Sequence, residues 1–374
     1  MAIAERYPVV IVGGGPAGLA TSAELRRRRI EHVVLEKGEA AGHTWIHLYD
    51  SLTLHTGKHL STLPRLSFDR NVPMFPSRRD FVAYLHRYVE VFELPVETGH
   101  AVTSVERGSD GWVVRTNGTS IVARTVVMAT GIVSAPRVPA IPGRDRFHGR
   151  VMHSAEYRRP DGFRGRRVLV VGVGNSGGEI GSELATFGAH VTVAVRSGAN
   201  VVPRELAGIP IQYLAFSMRG LPTPVRRRIA DLVGKITERR RGKPVLPKPA
   251  HGPLDAIPLI GFNLVDAIRA GRVAVRPGIS ELTEQGVRFT DGSEAPFDDV
   301  ILATGFSPAL APLGGLVRTD AKGFAIRTDR VTSADQPHLY FVGHTYDATG
   351  GLYNIRRDSA LAAERIAAGV EGPG

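Results

Sequence analysis

The 374-residue sequence predicts an α/β fold built from two nested strand–helix–strand units. Three observations predict it. A short apolar run leads into a Gly-x-Gly-x-x-Gly loop and then a helical stretch twice, at residues 9–29 and again at 167–187. A strand ending in Ala-Thr-Gly also occurs twice, at 125–131 and at 299–305. Each Ala-Thr-Gly follows its own glycine loop by a similar interval, 118 and 133 residues. The chain therefore reads as one unit interrupted by another. Residues 1–155 and 295–374 form the first, discontinuous domain, and 156–294 form the second, with 205–265 as a lid or substrate segment.

The elements follow in order. Residues 7–12 are a β-branched run of the kind a fully buried parallel strand requires. Gly13-Gly14-Gly15-Pro16-Ala17-Gly18 follows, residues 19–29 have helical composition, and His32–Leu35 is a strand that ends at Glu36. In the second unit Arg167–Val171 leads into Gly172-Val173-Gly174-Asn175-Ser176-Gly177, residues 178–187 read as helix, and His190–Val195 is a strand that ends at Arg196. Residues 339–343 are one more strand, and 350–368 carry a helical apolar stripe.

Such a loop has a specific physical use. A dinucleotide pyrophosphate needs backbone N–H donors at close range, and a helix N-terminus supplies them with a favourable dipole. Gly13 permits the tight turn, Gly15 lets the backbone approach phosphate, and Gly18 allows helix and strand to pack closely. Gly172, Gly174 and Gly177 repeat the arrangement. One such motif is weak evidence, but two in the right strand–helix–strand context are strong. The fold expected is thus two Rossmann-like dinucleotide-binding domains. Glu36 can accept both ribose hydroxyls of an adenosine and repels a 2′-phosphate, which suits FAD or NAD. Arg196 accepts nothing and can hold a 2′-phosphate by charge-assisted hydrogen bonds, with Arg204 as a second clamp. The simplest pairing is FAD at the first loop and NADPH at the second.

Composition narrows the chemistry. Hydrophobic residues make up 43% and charged residues 22%, which are globular proportions. The chain has no cysteine, so disulfides, thiol nucleophiles, iron–sulfur clusters and dithiol reductase chemistry are excluded for these residues. Redox chemistry must ride on a bound cofactor. No apolar stretch approaches the ~20 residues a membrane helix needs, and residues 1–8 are too short and polar for a secretory signal, so a cytoplasmic location is expected. Net charge is +11, and residues 201–250 hold 11 basic and 3 acidic residues. Arg226-Arg227-Arg228 and Arg239-Arg240-Arg241 lie in that window. A solvated surface segment is the plain reading of 219–248, with weak contact to an anionic membrane surface the alternative. No nucleic-acid module is evident.

Beyond these features, the sequence resembles the flavin-containing monooxygenases, and within them the YUCCA type. The family fingerprint F-x-G-x-x-x-H-x-x-x-Y is intact as Phe147, Gly149, His153 and Tyr157. Ala303-Thr304-Gly305-Phe306, Trp45, the stretch 49–55 through Lys58 and Leu63-Pro64, and Arg196 with Pro203-Arg204-Glu205 are further marks. The resemblance implies an FAD- and NADPH-dependent monooxygenase that inserts one atom of O2 into a small organic substrate through a flavin C4a-(hydro)peroxide. N- or S-oxygenation and oxidative decarboxylation of an aryl 2-oxo acid are the reactions implied. An NAD(P)H oxidase or flavin reductase that does not oxygenate is the rival reading. The FAD residues expected are Gly13, Gly15, Pro16, Ala17, Gly18, Glu36, Lys37, Thr44, Trp45, His55, Val102, Ala129, Thr130, Gly131, Gly343, Gly351 and Leu352. Those for NADPH are Gly172, Gly174, Asn175, Ser176, Gly177, Arg196, Ser197, Arg204, Ala303, Thr304 and Gly305. His55 and Asn175 are the candidate catalytic residues.

Two departures stand out. Many family members have Asn where this chain has His55, and many related flavoproteins have Asp where His344 follows Gly343. Other patterns carry less. Gly174–Gly178 fits G-x-S-x-G, but a Ser176 nucleophile with His338 or His344 leaves the first glycine loop unexplained. The pairs His43/His47 and His55/His59 have a metal-ligand spacing, but the surrounding Gly and Thr argue against a helix, and no metal is expected. Asp298 and Asp299 are adjacent and point to opposite faces of a strand, which makes a poor acid–base pair. Tyr213, Phe216 and Met218 are candidates for a pocket wall or for plain helix packing.

Overall fold

The computed structural model describes residues 5–250, 252, 257–345, 347 and 349–370. Parts of the 1–8 and 205–265 segments therefore lie outside the described residues. The chain divides into two units, one of residues 1–47, 56–135 and 306–374 and one of 48–55 and 136–305.

In the first unit the strand Glu5–Val12 is flanked by parallel neighbours, His32–Leu35 on one side and Ser120–Met128 on the other. Val9, Val10 and Ile11 are fully buried, as an apolar strand covered on both faces must be. Each such side chain contributes roughly 1.5–3 kcal/mol of burial. Val96–Glu97 extends the sheet beyond His32–Leu35, and Leu339–Phe341 pairs with the end of Ser120–Met128. Val102–Gly108 and Gly111–Thr116 add an antiparallel meander. The helix Pro16–Arg27 has Pro at its start, where the missing N–H costs nothing, and the last helix, Gly351–Val370, packs against it.

The second unit has a five-stranded parallel sheet in the order Val273–Pro277, His190–Val195, Arg167–Val171, Asp299–Leu302, Arg150–His153. A small antiparallel sheet of Ile279–Leu282, Gly286–Phe289 and Glu294–Pro296 adjoins it in sequence. The domain borders therefore differ from the expected 155/156 and 294/295. Arg150–His153 and Asp299–Leu302 pair with each other and belong to the second sheet, and Asp299 is fully buried between Arg150 (2.9 Å) and Arg166 (2.5 Å). Asp298 points the other way, to Arg167, and its carboxyl is held down at about 2 by that guanidinium. Residues 48–55 also join the second unit. No described helix is long and apolar enough to cross a membrane.

Candidate nucleotide cradles and a buried polar cluster

Each glycine loop is built the same way within its own unit. Gly13 has φ +109° and Gly172 φ +102°, a region that an L side chain rarely adopts. A Cβ on Gly13 would lie 2.6 Å from the Ala129 carbonyl oxygen, and one on Gly172 would lie 2.6 Å from that of Ala303. The Ala-Thr-Gly strands thus form the floor of the two turns. Ala129 N–H donates to Val12 and Ala303 N–H to Val171, each at 2.9 Å. A Cβ on Gly18 would meet the Gly13 carbonyl oxygen at 1.9 Å, and one on Gly177 that of Gly172 at 2.1 Å. These glycines close helix onto strand. Gly15 and Gly174 differ from the rest: a Cβ there meets nothing within 4 Å. Sterics inside the protein do not demand glycine at either position. Both are N-caps with extended backbone, and neither helix start has a side-chain cap. Open space beside uncapped helix N–H donors fits a bound pyrophosphate in both loops.

The strand tips diverge. Glu36 is buried, and its two carboxylate oxygens accept from Gly14 N–H (2.8 Å) and Gly38 N–H (3.0 Å). A carboxylate has about four acceptor sites, so capacity for ribose hydroxyls remains. Register shows a detail that spacing alone did not. Gly13 N–H donates to Leu35 and Gly172 N–H to Ala194, so the counterpart of Glu36 is Val195, and Arg196 follows it. Val195 is buried, whereas Arg196 and Ser197 are exposed. Arg196 forms no ion pair with any described residue. Lys37, its counterpart, is exposed too.

The other residues expected around FAD fall within the first unit, except His55. Gly42 N–H donates to the Gly14 carbonyl at 2.8 Å and sets the helical turn His43–Ile46, which carries Thr44 and Trp45, beside the loop. That turn corrects the expectation that Gly and Thr exclude a helix there. Trp45 meets Phe81 edge-on. Thr130 Oγ1 donates to the Ala309 carbonyl (2.7 Å), and Gly131 takes φ +79°. Gly343, at φ +80°, would set a Cβ 3.0 Å from that of Ala17, and Gly351 and Leu352 begin the last helix. Val102 starts its strand and packs on the core. His344 is buried against Phe341 and Phe324, and burial drives its pKa down to about 4.

The fingerprint residues have structural work in the second unit. Phe147 joins a core with Leu169 and Phe289, and a Cβ on Gly149 would strike the Phe147 ring at 2.4 Å. His153 Nδ1 accepts from Ala155 N–H (3.1 Å), so its Nε2 carries the proton donated to the Gly305 carbonyl (3.0 Å). It therefore braces the Ala-Thr-Gly turn, where Thr304 Oγ1 also donates to the Arg137 carbonyl (2.5 Å). Tyr157 donates to Glu183 at 2.8 Å and anchors the glycine-loop helix.

That helix also carries a cluster that no local pattern announces. Tyr49 donates to Glu179, Ser176 is hydrogen-bonded to the Tyr49 hydroxyl, and His55 Nε2 lies 3.7 Å from Glu179 Oε1. Burial pushes the Glu179 carboxyl up to about 7, against the opposing pull of the Tyr49 hydrogen bond and Arg204. Burial lowers His55 to about 4, helped by Arg204. Arg204 is half-buried and donates to the Leu54 carbonyl (2.9 Å). Its guanidinium is thus held beside Glu179. Asn175 Oδ1 accepts from Ile260 N–H (2.8 Å), so this candidate catalytic side chain tethers the strand Leu259–Ile260 over the helix. His55, Glu179, Arg204, Thr237 and Asn263 line a cavity of about 410 Å³, and Tyr213, Phe216 and Met218 lie outside its wall.

Comparison with known proteins places this architecture. The family model for pyridine nucleotide-disulphide oxidoreductases matches residues 10–205, more than half the chain. Over 308 residues the chain is 37% identical to indole-3-pyruvate monooxygenase YUCCA1 of Oryza sativa subsp. japonica, covering 79% of this chain and 76% of that protein. The chain belongs to the flavin-containing monooxygenases, in the YUCCA group. It is 33% identical over 309 residues to the probable indole-3-pyruvate monooxygenase YUCCA1 of Arabidopsis thaliana, covering 79% of this chain and 75% of the relative. Among solved structures, a flavin-containing monooxygenase from Stenotrophomonas maltophilia is 26% identical with TM-score 0.76, covering 98% of this chain and 99% of that one. Cyclohexanone monooxygenase, at 22% identity and TM-score 0.74 over 98% of this chain and 88% of that one, shares the fold. This flavin monooxygenase holds no cysteine, so the dithiol in the broader family's description has no place in these residues.

Proposed function

We propose that this flavin monooxygenase uses FAD and NADPH to transfer one oxygen atom from O2 to a small organic substrate. The observation that carries the reading is the pair of like-built glycine cradles with unlike strand tips. In the first, the N–H groups of Gly15 and Ala17 hold the FAD pyrophosphate and Glu36 accepts the adenosine ribose hydroxyls. In the second, the N–H groups at Gly174–Ser176 hold the NADPH pyrophosphate. Val195 removes the acid that would repel a 2′-phosphate, and Arg196 with Ser197 binds it. When bound, the flavin supplies the redox chemistry, accepting hydride from the nicotinamide and activating O2. The protein needs no side-chain nucleophile. Its own contribution is positioning and the exclusion of water. Thr304 and His153 brace the second turn, and Tyr49 donates to a Glu179 carboxyl that burial has raised to about 7.

The named activity of the plant relatives supports an aryl 2-oxo acid as substrate, with oxidative decarboxylation as the reaction. The test is an absorbance spectrum of purified protein, then NADPH consumption and product analysis against 2-oxo acids, amines, sulfides and ketones. Flavin absorbance, NADPH preference and an oxygenated product are expected. Protein that is colourless and takes up no added FAD overturns the proposal. NADPH consumption that yields only hydrogen peroxide with every substrate makes it an oxidase.

A further inference from the structure

We propose that the helix Thr223–Arg241 is a docking surface for an anionic lipid bilayer, lying in the plane of the headgroups. This helix runs 19 residues without one buried side chain. At 100° per residue, Val225, Ile229, Leu232 and Ile236 fall within about 60° of one another. Val225 is 40% exposed, Leu232 56% and Ile236 36%, and Leu221, just before the helix, is 41% exposed. Ile229 is half-buried and Ile236 also lines the cavity, so the part of the stripe open to water is Leu221, Val225 and Leu232, an exposure that costs the helix stability.

The flanks of the stripe identify the occupant. Arg228, Lys235 and Arg239, all exposed, border it on the open side, whereas on the other side Arg226, with its Nε buried, and Arg240, at the cavity, face the protein. The helix holds seven basic and two acidic residues, a net of +5. An exposed apolar stripe beside an open cationic border, on a helix of low overall hydrophobicity, is the pattern of an interfacial helix on an anionic membrane. A second copy of the same helix brings another +5 against the first, which opposes self-association. Nucleic acid satisfies the arginines but leaves the stripe in water. Arg241 serves a different purpose. It pairs with Asp266 at 2.8 Å and lies over the Phe262 ring, holding the helix end to its unit.

Co-sedimentation of the full-length holoprotein tests this. The probes are vesicles of phosphatidylcholine alone and of phosphatidylcholine with about a third phosphatidylglycerol. Binding to the anionic vesicles at least tenfold above the neutral ones is expected, falling steeply with added salt. Leu232→Glu alters the stripe away from the cavity wall and should abolish binding with flavin content and oligomeric state unchanged. Arg228→Glu should weaken it severalfold. Equal binding to both vesicle types, no binding to either, or retention by DNA that Leu232→Glu leaves intact overturns the proposal. So does a Leu232→Glu variant that converts a dimer to a monomer while wild type ignores vesicles.

Discussion

The two glycine cradles are near-copies in backbone and opposites in side chain, and the contrast separates what a nucleotide site must have from what tunes it. Both have a floor alanine, a positive-φ first glycine, an empty second position and a jammed third. They part at three matched positions. Glu36 faces Val195. Gly14, where a Cβ would sit 2.9 Å from the Glu36 Cβ, faces Val173. Ala20, buried in the first helix, faces Glu179 in the second. The first two differences are one difference: a carboxylate turned into its loop leaves no room for a side chain beside it, and a valine tip does. The third has no counterpart in the first unit, where an alanine completes plain helix packing.

The strongest way to break this comparison is to put a methyl group at the jammed positions. Gly18→Ala and Gly177→Ala each force a Cβ to within about 2 Å of a backbone oxygen, as the geometry gives. Each should cost on the order of 3 kcal/mol or more, read as a fall in urea midpoint. Valine at the empty positions should do the reverse, because only a ligand fills that space. Gly15→Val is expected to stay folded by circular dichroism yet lose its flavin. Gly174→Val should keep its flavin and lose NADPH turnover. If Gly15→Val keeps normal flavin content, the cradle assignment fails.

The tip contrast predicts a smaller, selective effect. Arg196→Ala should raise the NADPH KM roughly 10–100-fold with little change for NADH, where tenfold corresponds to ~1.4 kcal/mol. Val195→Glu should push preference the same way. Equal weakening of both nucleotides would remove the 2′-phosphate role.

The smallest effect concerns Glu179 against Ala20. A carboxyl raised to about 7 in the folded protein, from 4.5, favours folding while it is protonated. Its contribution is fully present below about pH 4.5 and is lost as pH rises through about 7. Wild-type stability should fall by on the order of 2 kcal/mol from this group between pH 5 and 8. Glu179→Gln should flatten that slope, seen in urea denaturation at the two pH values. His55 acts at the other side. Its lowered pKa, about 4, favours folding above its ordinary 6.5 and withdraws that support as pH falls towards 4.

The parts legible in the sequence were those whose cause is local. A turn that needs positive φ and a helix pressed on a strand demand glycine within six residues, so Gly13–Gly18 and Gly172–Gly177 announce themselves. Buried parallel strands announce themselves by unbroken apolar runs. The cluster around Glu179 did not, because Tyr49 and Glu179 are 130 residues apart and no spacing links them. The family fingerprint was visible as letters, but its reasons were not: Gly149 is fixed by the Phe147 ring and His153 by the distant Gly305 carbonyl. The border of the second unit was misplaced because pairing between Arg150–His153 and Asp299–Leu302 is a long-range fact.

The contacts of Arg137 have a bearing on how such a chain is assembled. Its N–H donates to the Gly305 carbonyl at 2.9 Å while its own carbonyl accepts from Thr304, so the stretch 136–305 departs and returns through one doorway. A loop of chain whose two ends touch can be spliced into a host without prying the host's strands apart. Residues 136–305 have most of the anatomy of a removable cassette, with 48–55 the outside stretch that must be exchanged along with it, and on the proposed cofactor assignment such an exchange would change which reductant the protein accepts while leaving the flavin's own seat alone.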